Sequence, residues 1–248
     1  MTGPTQLSPS SDMVYPDQNH CQYEVDAMNV NADFLQRVVI HPERVDWEPS
    51  PMKGVERRRL DRVAEPNDRV TTIVRYAPES RFSSHVHTGG EEFIVLEGIF
   101  EDDYGEWPAG SYIRNPPQSS HTPGSTQGCT IFVKLWQFQP DDRTFIHANR
   151  HKLPVIPHRC RLGVSIAPLY LDEHEYVRFE QWDPNTEITL ADEGGLEVLV
   201  LDGECTQQGD RLTPYSWLRS PPAQQSLFAT GPEGAYVWIK SGHLASLS

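Results

Sequence analysis

The chain has few of the features that mark disulfide scaffolds, membrane proteins or secreted proteins. Its four cysteines are scattered over 248 residues and form no C-x-x-C pair, which argues against a disulfide framework and against a thiolate zinc site. No apolar run approaches the roughly 18 residues that suggest a membrane span. The first residues lack the basic and apolar regions of a secretory signal. We therefore expect a soluble protein of the cytoplasm with no membrane partner.

Positive charge is also scarce. Lys and Arg number 21 against 35 Asp and Glu, so the net charge is −14 at pH 7, and we expect no nucleic-acid partner because phosphate binding needs clustered cations. One basic cluster stands out: Lys53, Arg57, Arg58, Arg59 and Arg62, interleaved with Glu56, Asp61 and Glu65. A run of mixed sign predicts a solvated and partly self-paired surface.

Helical periodicity is almost absent. Only residues 26–39 have apolar spacing that predicts a short helix, and residues 1–20, rich in Ser, Pro, Thr and Gln, are predicted to be a mobile tail. The rest is a succession of short β-like runs, such as residues 70–76 and 130–136, separated by Pro, Gly, Asp and Asn. This pattern predicts an all-β sandwich or barrel.

An internal repeat organises the chain. Residues 89–98 resemble residues 194–203, and the two blocks that follow, 111–117 and 128–134, match 216–222 and 234–240 in the same order. Three ordered matches indicate duplication of a whole β domain. We predict an N-terminal tail and extension over residues 1–35, a first domain over 36–150 and a second over 151–248.

The first repeat contains a candidate metal site. His85 and His87 alternate along a strand and so share one face, residues 88–90 form a glycine turn, and Glu91 opens the next strand. His121 follows 30 residues after Glu91 and completes the set. Three imidazoles and a carboxylate suit one divalent Zn, Fe, Mn, Co or Ni ion. Glu92 is the alternative carboxylate, but its parity should turn it out of the barrel.

These residues carry a resemblance to the cupin superfamily. His85, His87, Glu91 and Gly98 match the first cupin motif, and Gly110, Pro116 and His121 follow the second. The sequence departs from the motifs at Glu79, Gln118 and Ser125, where the family has glycine, glycine and asparagine. Residues 89–136, and residues 114–123 above all, are most similar to the ChrR-type cupins. The resemblance implies an all-β fold of two tandem double-stranded β-helix (jelly-roll) barrels.

The second repeat has lost the candidate ligands. Leu190, Asp192, Leu196 and Ser226 stand opposite His85, His87, Glu91 and His121. One carboxylate does not hold a transition metal, so we predict that this barrel binds none and serves as a structural or dimerisation partner.

The resemblance implies a non-haem Fe(II) dioxygenase that acts on a small organic substrate. The ligand count is compatible with this activity, since four protein ligands leave up to two positions open on an octahedral ion. Fe(II) is favoured, with Zn, Ni and Mn open. A zinc-binding ChrR-like regulatory module, a non-redox metal-dependent lyase or isomerase, and a binding protein without turnover are the alternatives.

Parity and motif placement nominate five residues for the substrate pocket: Tyr76, Phe93, Tyr112, Arg114 and Trp136. For the aromatic residues the competing interpretation is ordinary core packing. Arg114 has a repeat counterpart in Arg219, which favours a structural salt bridge. We also expect a homodimer built on β-sheet contacts, since open sheet edges need cover and two-fold symmetry is common.

Overall fold

The computed structural model describes residues 28–247, and over this range the chain is all-β. The first strand is β1 (Val38–Ile40), and the helical elements of the described range are two short 3₁₀ turns, Pro42–Arg44 and Ala245–Leu247. No helix in the described range is long and apolar enough to cross a membrane. The predicted mobile tail, residues 1–20, lies outside the described residues.

The helix predicted over residues 26–39 is wrong for the part that the structure describes. Residues 28–37 form turns and one isolated bridge between Val30 and Arg62. Phe34 is buried, whereas Met28 and Leu35 are exposed. The apolar side chains therefore do not share one buried face, which a surface helix needs.

The first barrel is a ten-stranded antiparallel sheet with a separate two-stranded ribbon. The strands of the sheet and of the ribbon are β2 (Glu48–Pro49), β3 (Val55–Val63), β4 (Arg69–Tyr76), β5 (Ser80–Arg81), β6 (His85–His87), β7 (Glu91–Asp102), β8 (Gly105–Pro108), β9 (Ser111–Asn115), β10 (Ser119–His121), β11 (Gly124–Ser125), β12 (Cys129–Leu135) and β13 (Ile146–Asn149). The central order of the large sheet is β13-β9-β7-β12-β4-β3-β2, and β10 and β6 form the ribbon.

The second barrel is a nine-stranded antiparallel sheet that follows the same plan. Besides β1, its strands are β14 (Ile156–Pro157), β15 (Val164–Leu171), β16 (Tyr176–Trp182), β17 (Glu187–Asp192), β18 (Leu196–Gln207), β19 (Asp210–Leu212), β20 (Trp217–Ser220) and β21 (Gln224–Ser241). The central order of this sheet is β1-β20-β18-β21-β16-β15-β14. The repeat seen in the sequence is thus a repeat of β-sheet architecture.

Strand β1 departs from the predicted division of the chain. We assigned residues 36–150 to the first domain, but β1 pairs with β20 of the second barrel, with Val39 opposite Leu218. Just before it, Arg37 forms an ion pair with Asp210 at 2.7 Å. The first barrel's own sheet begins only at β2, so the chain crosses from the second barrel to the first over residues 41–47.

Buried apolar residues form three clusters. One lies inside the first barrel around Phe93, Phe100 and Ile131, and another lies inside the second around Val198 and Phe228. The third joins the two barrels, where Phe132 meets Trp238 with ring centroids 5.4 Å apart. Cys129 is a free, buried thiol in the cluster of the first barrel.

Charged groups cross the same interface in reciprocal pairs. Lys134 of the first barrel contacts Glu197 of the second at 2.5 Å, and Lys240 of the second contacts Glu92 of the first at 2.7 Å. These lysines and glutamates are repeat counterparts, so the two pairs are related by the duplication. All four side chains are almost fully buried. Glu92 therefore points away from the candidate metal site, as its parity predicted, and into the contact between the barrels.

Candidate metal centre

The register of one small ribbon brings the three candidate histidines together. Strands β6 and β10 pair antiparallel with His85 opposite His121 and Ser119 opposite His87. Side chains directly opposite each other share a face, and so do alternate residues of one strand. His85, His87 and His121 therefore project from one face of the ribbon.

A tight turn places the carboxylate beside them. Gly90 has φ of +76°, which favours glycine, and its N–H donates to the carbonyl of His87. A Cβ on Gly89 would lie 2.1 Å from the Trp136 ring. The turn is thus held under Trp136 and delivers Glu91 to the start of β7.

The distances fit a bound transition-metal ion. The ligand atoms of the three histidines lie within 4.8 Å of one another. The Nε2 atoms of His87 and His121 are 2.9 Å apart, and Glu91 Oε2 is 3.3 Å from the first and 3.6 Å from the second. Two ligands each about 2.1 Å from one ion lie about 3.0 Å apart at right angles and about 3.4 Å apart in a tetrahedron. Glu91 adjoins two of the three imidazoles and is placed to be the fourth ligand.

Further side chains orient these groups. Asp102 accepts a hydrogen bond from Nδ1 of His121 at 3.1 Å and from the Trp107 indole at 2.9 Å. Asn115 donates to Glu91 at 3.3 Å. A carboxylate on the outer nitrogen of a ligating histidine fixes its tautomer and leaves Nε2 for the metal.

Asp102 is a candidate site residue that sequence reasoning missed. Simple alternation along β7 would turn it away from Glu91, because the two positions have opposite parity. A bulge resets the alternation: Thr130 pairs with Glu97, but Ile131 pairs with Val95, which leaves Leu96 as the extra residue. The hint in the sequence was Gly98, because a glycine inside a strand often marks a nearby bulge; its φ in the structure is +73°.

The electrostatics of the two facing imidazoles differ. Burial lowers the pKa of His87, and the neighbouring histidines add to this effect against the opposing charge of Glu91. Burial also acts to lower the pKa of His121, but the hydrogen bond to Asp102 and the charge of Glu91 raise it overall. The 2.9 Å contact between the two Nε2 atoms therefore suits a protonated His121 that donates to a neutral His87. Metal binding would release that proton.

A cavity of about 180 Å³ opens onto these ligands. Its lining includes His85, His87 and Glu91, and its walls are formed largely by the inward side chains of β4 and β12, among them Val74 and Ile131. A small, mostly apolar cavity with a few polar groups at one point is typical of a small-molecule site.

Of the five nominated pocket residues, Tyr76 lines the cavity. Phe93 instead packs in the barrel core, 4.7 Å from Phe100 between ring centroids, as the competing interpretation of core packing holds. The structure places the other three outside this core and away from the cavity. Tyr112 donates to Glu92 at 2.6 Å in the contact between the barrels, and Trp136 covers the Gly89 turn.

Arg114 is the last of those three, and it is buried in an ion-pair network. It contacts Asp142 at 2.5 Å and Glu175 at 2.9 Å. Its neighbours are therefore acidic residues of the connection between the barrels and of the second barrel, as the salt-bridge interpretation predicted. Alternation along a strand therefore cannot tell whether a side chain is buried in the cavity of its own barrel or in the contact with the other barrel.

The prediction of a solvated basic surface is wrong for Arg57, Arg59 and Arg62, which line the cavity. Arg59 and Arg62 have side chains only 11% and 10% exposed. Arg58, in contrast, turns outward onto the ring of Trp47. Charge pattern alone could not show that one face of β3 closes a cavity.

Two residues that replace motif glycines keep the backbone conformation that glycine favours. Glu79 has φ of 62° and Gln118 has φ of 72°, so both adopt the left-handed backbone region. This region is uncommon for residues other than glycine and costs of order 1 kcal/mol or more. Ser125, in place of asparagine, donates to the carbonyl of Ile99 at 2.6 Å.

In the second barrel the equivalent positions have other roles. Leu190 and Leu196 join the apolar core, Ser226 donates to Ser220, and Asp192 accepts from the Gly194 N–H in a turn. Glu180 instead forms the polar centre of this barrel, with a 2.7 Å contact to Arg161. That the second barrel binds no metal stays a prediction.

Comparisons with known proteins agree with this architecture. Residues 35–139 match the family described as the ChrR cupin-like domain. No curated protein matches the sequence significantly.

Similar solved structures cover both barrels. A candidate dioxygenase from Nostoc punctiforme is 15% identical, with a TM-score of 0.67 over 88% of this chain and 83% of that one. Bacterial pirin YhhW from Escherichia coli, in complex with nickel(II), is 14% identical, with a TM-score of 0.58 over 83% and 98%. Oxalate decarboxylase from Lactobacillus farciminis, in a formate complex, is 8% identical, with a TM-score of 0.60 over 87% and 89%. At these identities the likeness shows the fold alone.

Proposed function

We propose that this chain, a cupin whose residues 35–139 match the ChrR cupin-like domain, is a non-haem Fe(II) dioxygenase acting on a small organic substrate in its first barrel. The observation that carries the proposal is the cluster of three imidazoles and one carboxylate beside a cavity of about 180 Å³, which His85, His87 and Glu91 line. His85, His87, Glu91 and His121 would hold one ion, which when bound supplies Lewis-acid and redox chemistry.

The residues of the cavity support this chemistry in defined ways. Asp102 keeps the Nε2 of His121 directed at the ligand cluster. Burial, with the charge of Glu91, raises the pKa of Tyr76, so its phenol stays protonated and can donate a hydrogen bond to a bound substrate. The walls of Val74, Ile131 and Val133 exclude water from the reacting centre.

The test is metal analysis of anaerobically purified protein followed by oxygen uptake with small β-diketones, aromatic ketones and thiols. We expect close to one iron per chain and uptake that depends on one substrate class. The matched pair of variants is Glu91→Gln and Glu92→Gln, because these adjacent carboxylates face the ligand cluster and the barrel interface respectively. Uptake that survives Glu91→Gln would contradict the proposal.

A second candidate is a zinc-binding regulatory cupin, favoured by the match to the ChrR cupin-like domain. Tightly held zinc with no oxygen uptake would support it, and the same result with turnover of a substrate would indicate a lyase or isomerase. In each case we propose a small-molecule ligand, a cytoplasmic location and no nucleic-acid partner.

A further inference from the structure

Three arginines of strand β3 face the cavity, and the third does so because the strand contains a bulge. Arg57 pairs with Val74, and Arg59 pairs with Thr72, two residues of β4 that line the cavity. The register then shifts between Arg59 and Asp61, and Arg62 takes the place opposite Val70. Without the bulge, alternation would turn Asp61 inward instead of Arg62. The irregularity thus replaces an inward carboxylate with a third inward guanidinium.

The charge of the lining follows from this arrangement. Its charged groups are three guanidiniums and the carboxylates of Asp68 and Glu91, so with neutral histidines the formal charge is +1. The whole chain has a net charge of −14. A divalent ion on the ligand cluster would make the cavity more positive still. Three inward guanidiniums in an acidic protein favour an anion over a neutral ligand.

The guanidiniums are held in place by polar and acidic neighbours. Arg59 forms an ion pair with Glu48, and Arg62 contacts Asp68 at 2.5 Å. Arg57 donates to the Ser50 hydroxyl at 2.7 Å. Glu48 and Asp68 have side chains 44% and 56% exposed, so solvent screens them more than the buried arginines they orient.

One buried donor points to a missing acceptor. Among the described residues, Nη1 of Arg62 is buried and has no hydrogen-bond partner. A buried guanidinium nitrogen without a partner costs free energy, and an anionic oxygen would remove that cost. Arginine suits this role because its planar fork matches a carboxylate.

We propose that the ligand of the first barrel is a small organic anion, with a carboxylate bound by the arginine face of β3 and an apolar body packed between β4 and β12. This inference rests on the proposed function for its site and adds the substrate class. The size agrees with it: an engineered apolar cavity of about 150 Å³ binds benzene, and the cavity here is about 180 Å³. One six-membered ring with a carboxylate therefore fits.

The probes are benzoate and benzamide, which have nearly the same shape and differ in charge. Calorimetric titration of the full chain should show benzoate binding at least about tenfold tighter than benzamide, because a hydrogen bond to a charged group is worth about that factor or more. Arg57→Gln and Arg62→Gln should each weaken benzoate by about tenfold or more and leave benzamide nearly unchanged. Two variants are used in case one of them disturbs folding.

The matched control is Arg75→Gln. Arg75 lies on the same hairpin but forms an exposed pair with Glu56 at 2.5 Å. The Arg75→Gln variant should leave benzoate binding unchanged. Equal affinity for benzoate and benzamide, no benzoate binding at millimolar concentration, or an equal loss in all three variants would overturn the inference.

Titrations of both metal-loaded and chelator-treated protein separate this inference from the proposed function. Benzoate binding that depends on Arg57 and Arg62 without any metal supports the anion site even if the oxygenase proposal fails. Metal and oxygen uptake without this dependence would refute the anion site alone.

Discussion

Replacing Lys240 by methionine should destabilise the protein more than any surface substitution. Lys240 is fully buried at the contact between the barrels, where its Nζ lies 2.7 Å from Glu92 and 2.8 Å from Glu175. The substitution keeps the apolar stem but leaves two buried carboxylates without their shared cation. Breaking a buried pair by removing one partner costs about 3–5 kcal/mol.

The measurement is urea or thermal unfolding of the full chain. For a protein of this size 1 kcal/mol shifts Tm by about 2–4 °C, so a loss of roughly 10 °C is expected. The double variant Lys240→Met with Glu92→Gln should recover part of the stability, because it removes one of the stranded charges. A double-mutant cycle would give that coupling directly.

The chain offers two matched comparisons. Lys134→Met removes the repeat counterpart of Lys240 and should destabilise to a similar extent, since Lys134 is equally buried against Glu197. Arg75→Met breaks an exposed pair with Glu56 and should cost no more than about 1 kcal/mol. If Lys240→Met costs no more than Arg75→Met, the reciprocal pairs do not hold the barrels together and the reasoning is refuted.

Four further predictions concern the metal site, pH and assembly. His87→Ala should abolish most metal binding, measured by elemental analysis, while the β signal in circular dichroism persists. Asp102→Asn should weaken metal affinity by about 10- to 100-fold through His121, and an unchanged affinity would exclude its orienting role. Burial would raise the pKa of Glu92, but Lys240 and Arg114 lower it to about 2. The stabilisation by the ionised Glu92 is therefore complete above pH 4.5 and is lost as pH falls toward 2. Acid unfolding of the Glu92→Gln variant should lack this trend. A homodimer should give twice the chain mass of 28.2 kDa in light scattering, and the monomer mass at all concentrations would show that the internal repeat replaces the dimer.

The sequence by itself determined the all-β class, the duplication and the four candidate ligands. Alternation of side chains along a strand is a local property, so the shared face of His85 and His87 and the outward turn of Glu92 could be derived without a structure. The repeat also distinguished the two glutamates, because Glu92 has a counterpart in Glu197. In the structure, Glu92 and Glu197 each form one of the reciprocal pairs between the barrels.

Only the tertiary structure decided which inward and outward faces are used, and for what. Bulges at Leu96 and Leu60 reset the alternation, which brings Asp102 behind His121 and turns Arg62 into the cavity. Local alternation also could not place Arg114, which points out of its own barrel and is buried against the neighbouring one. Strand β1 adds itself to the second barrel for a related reason: edge pairing depends on which sheet edge is left open in space, and no local pattern of residues records that choice.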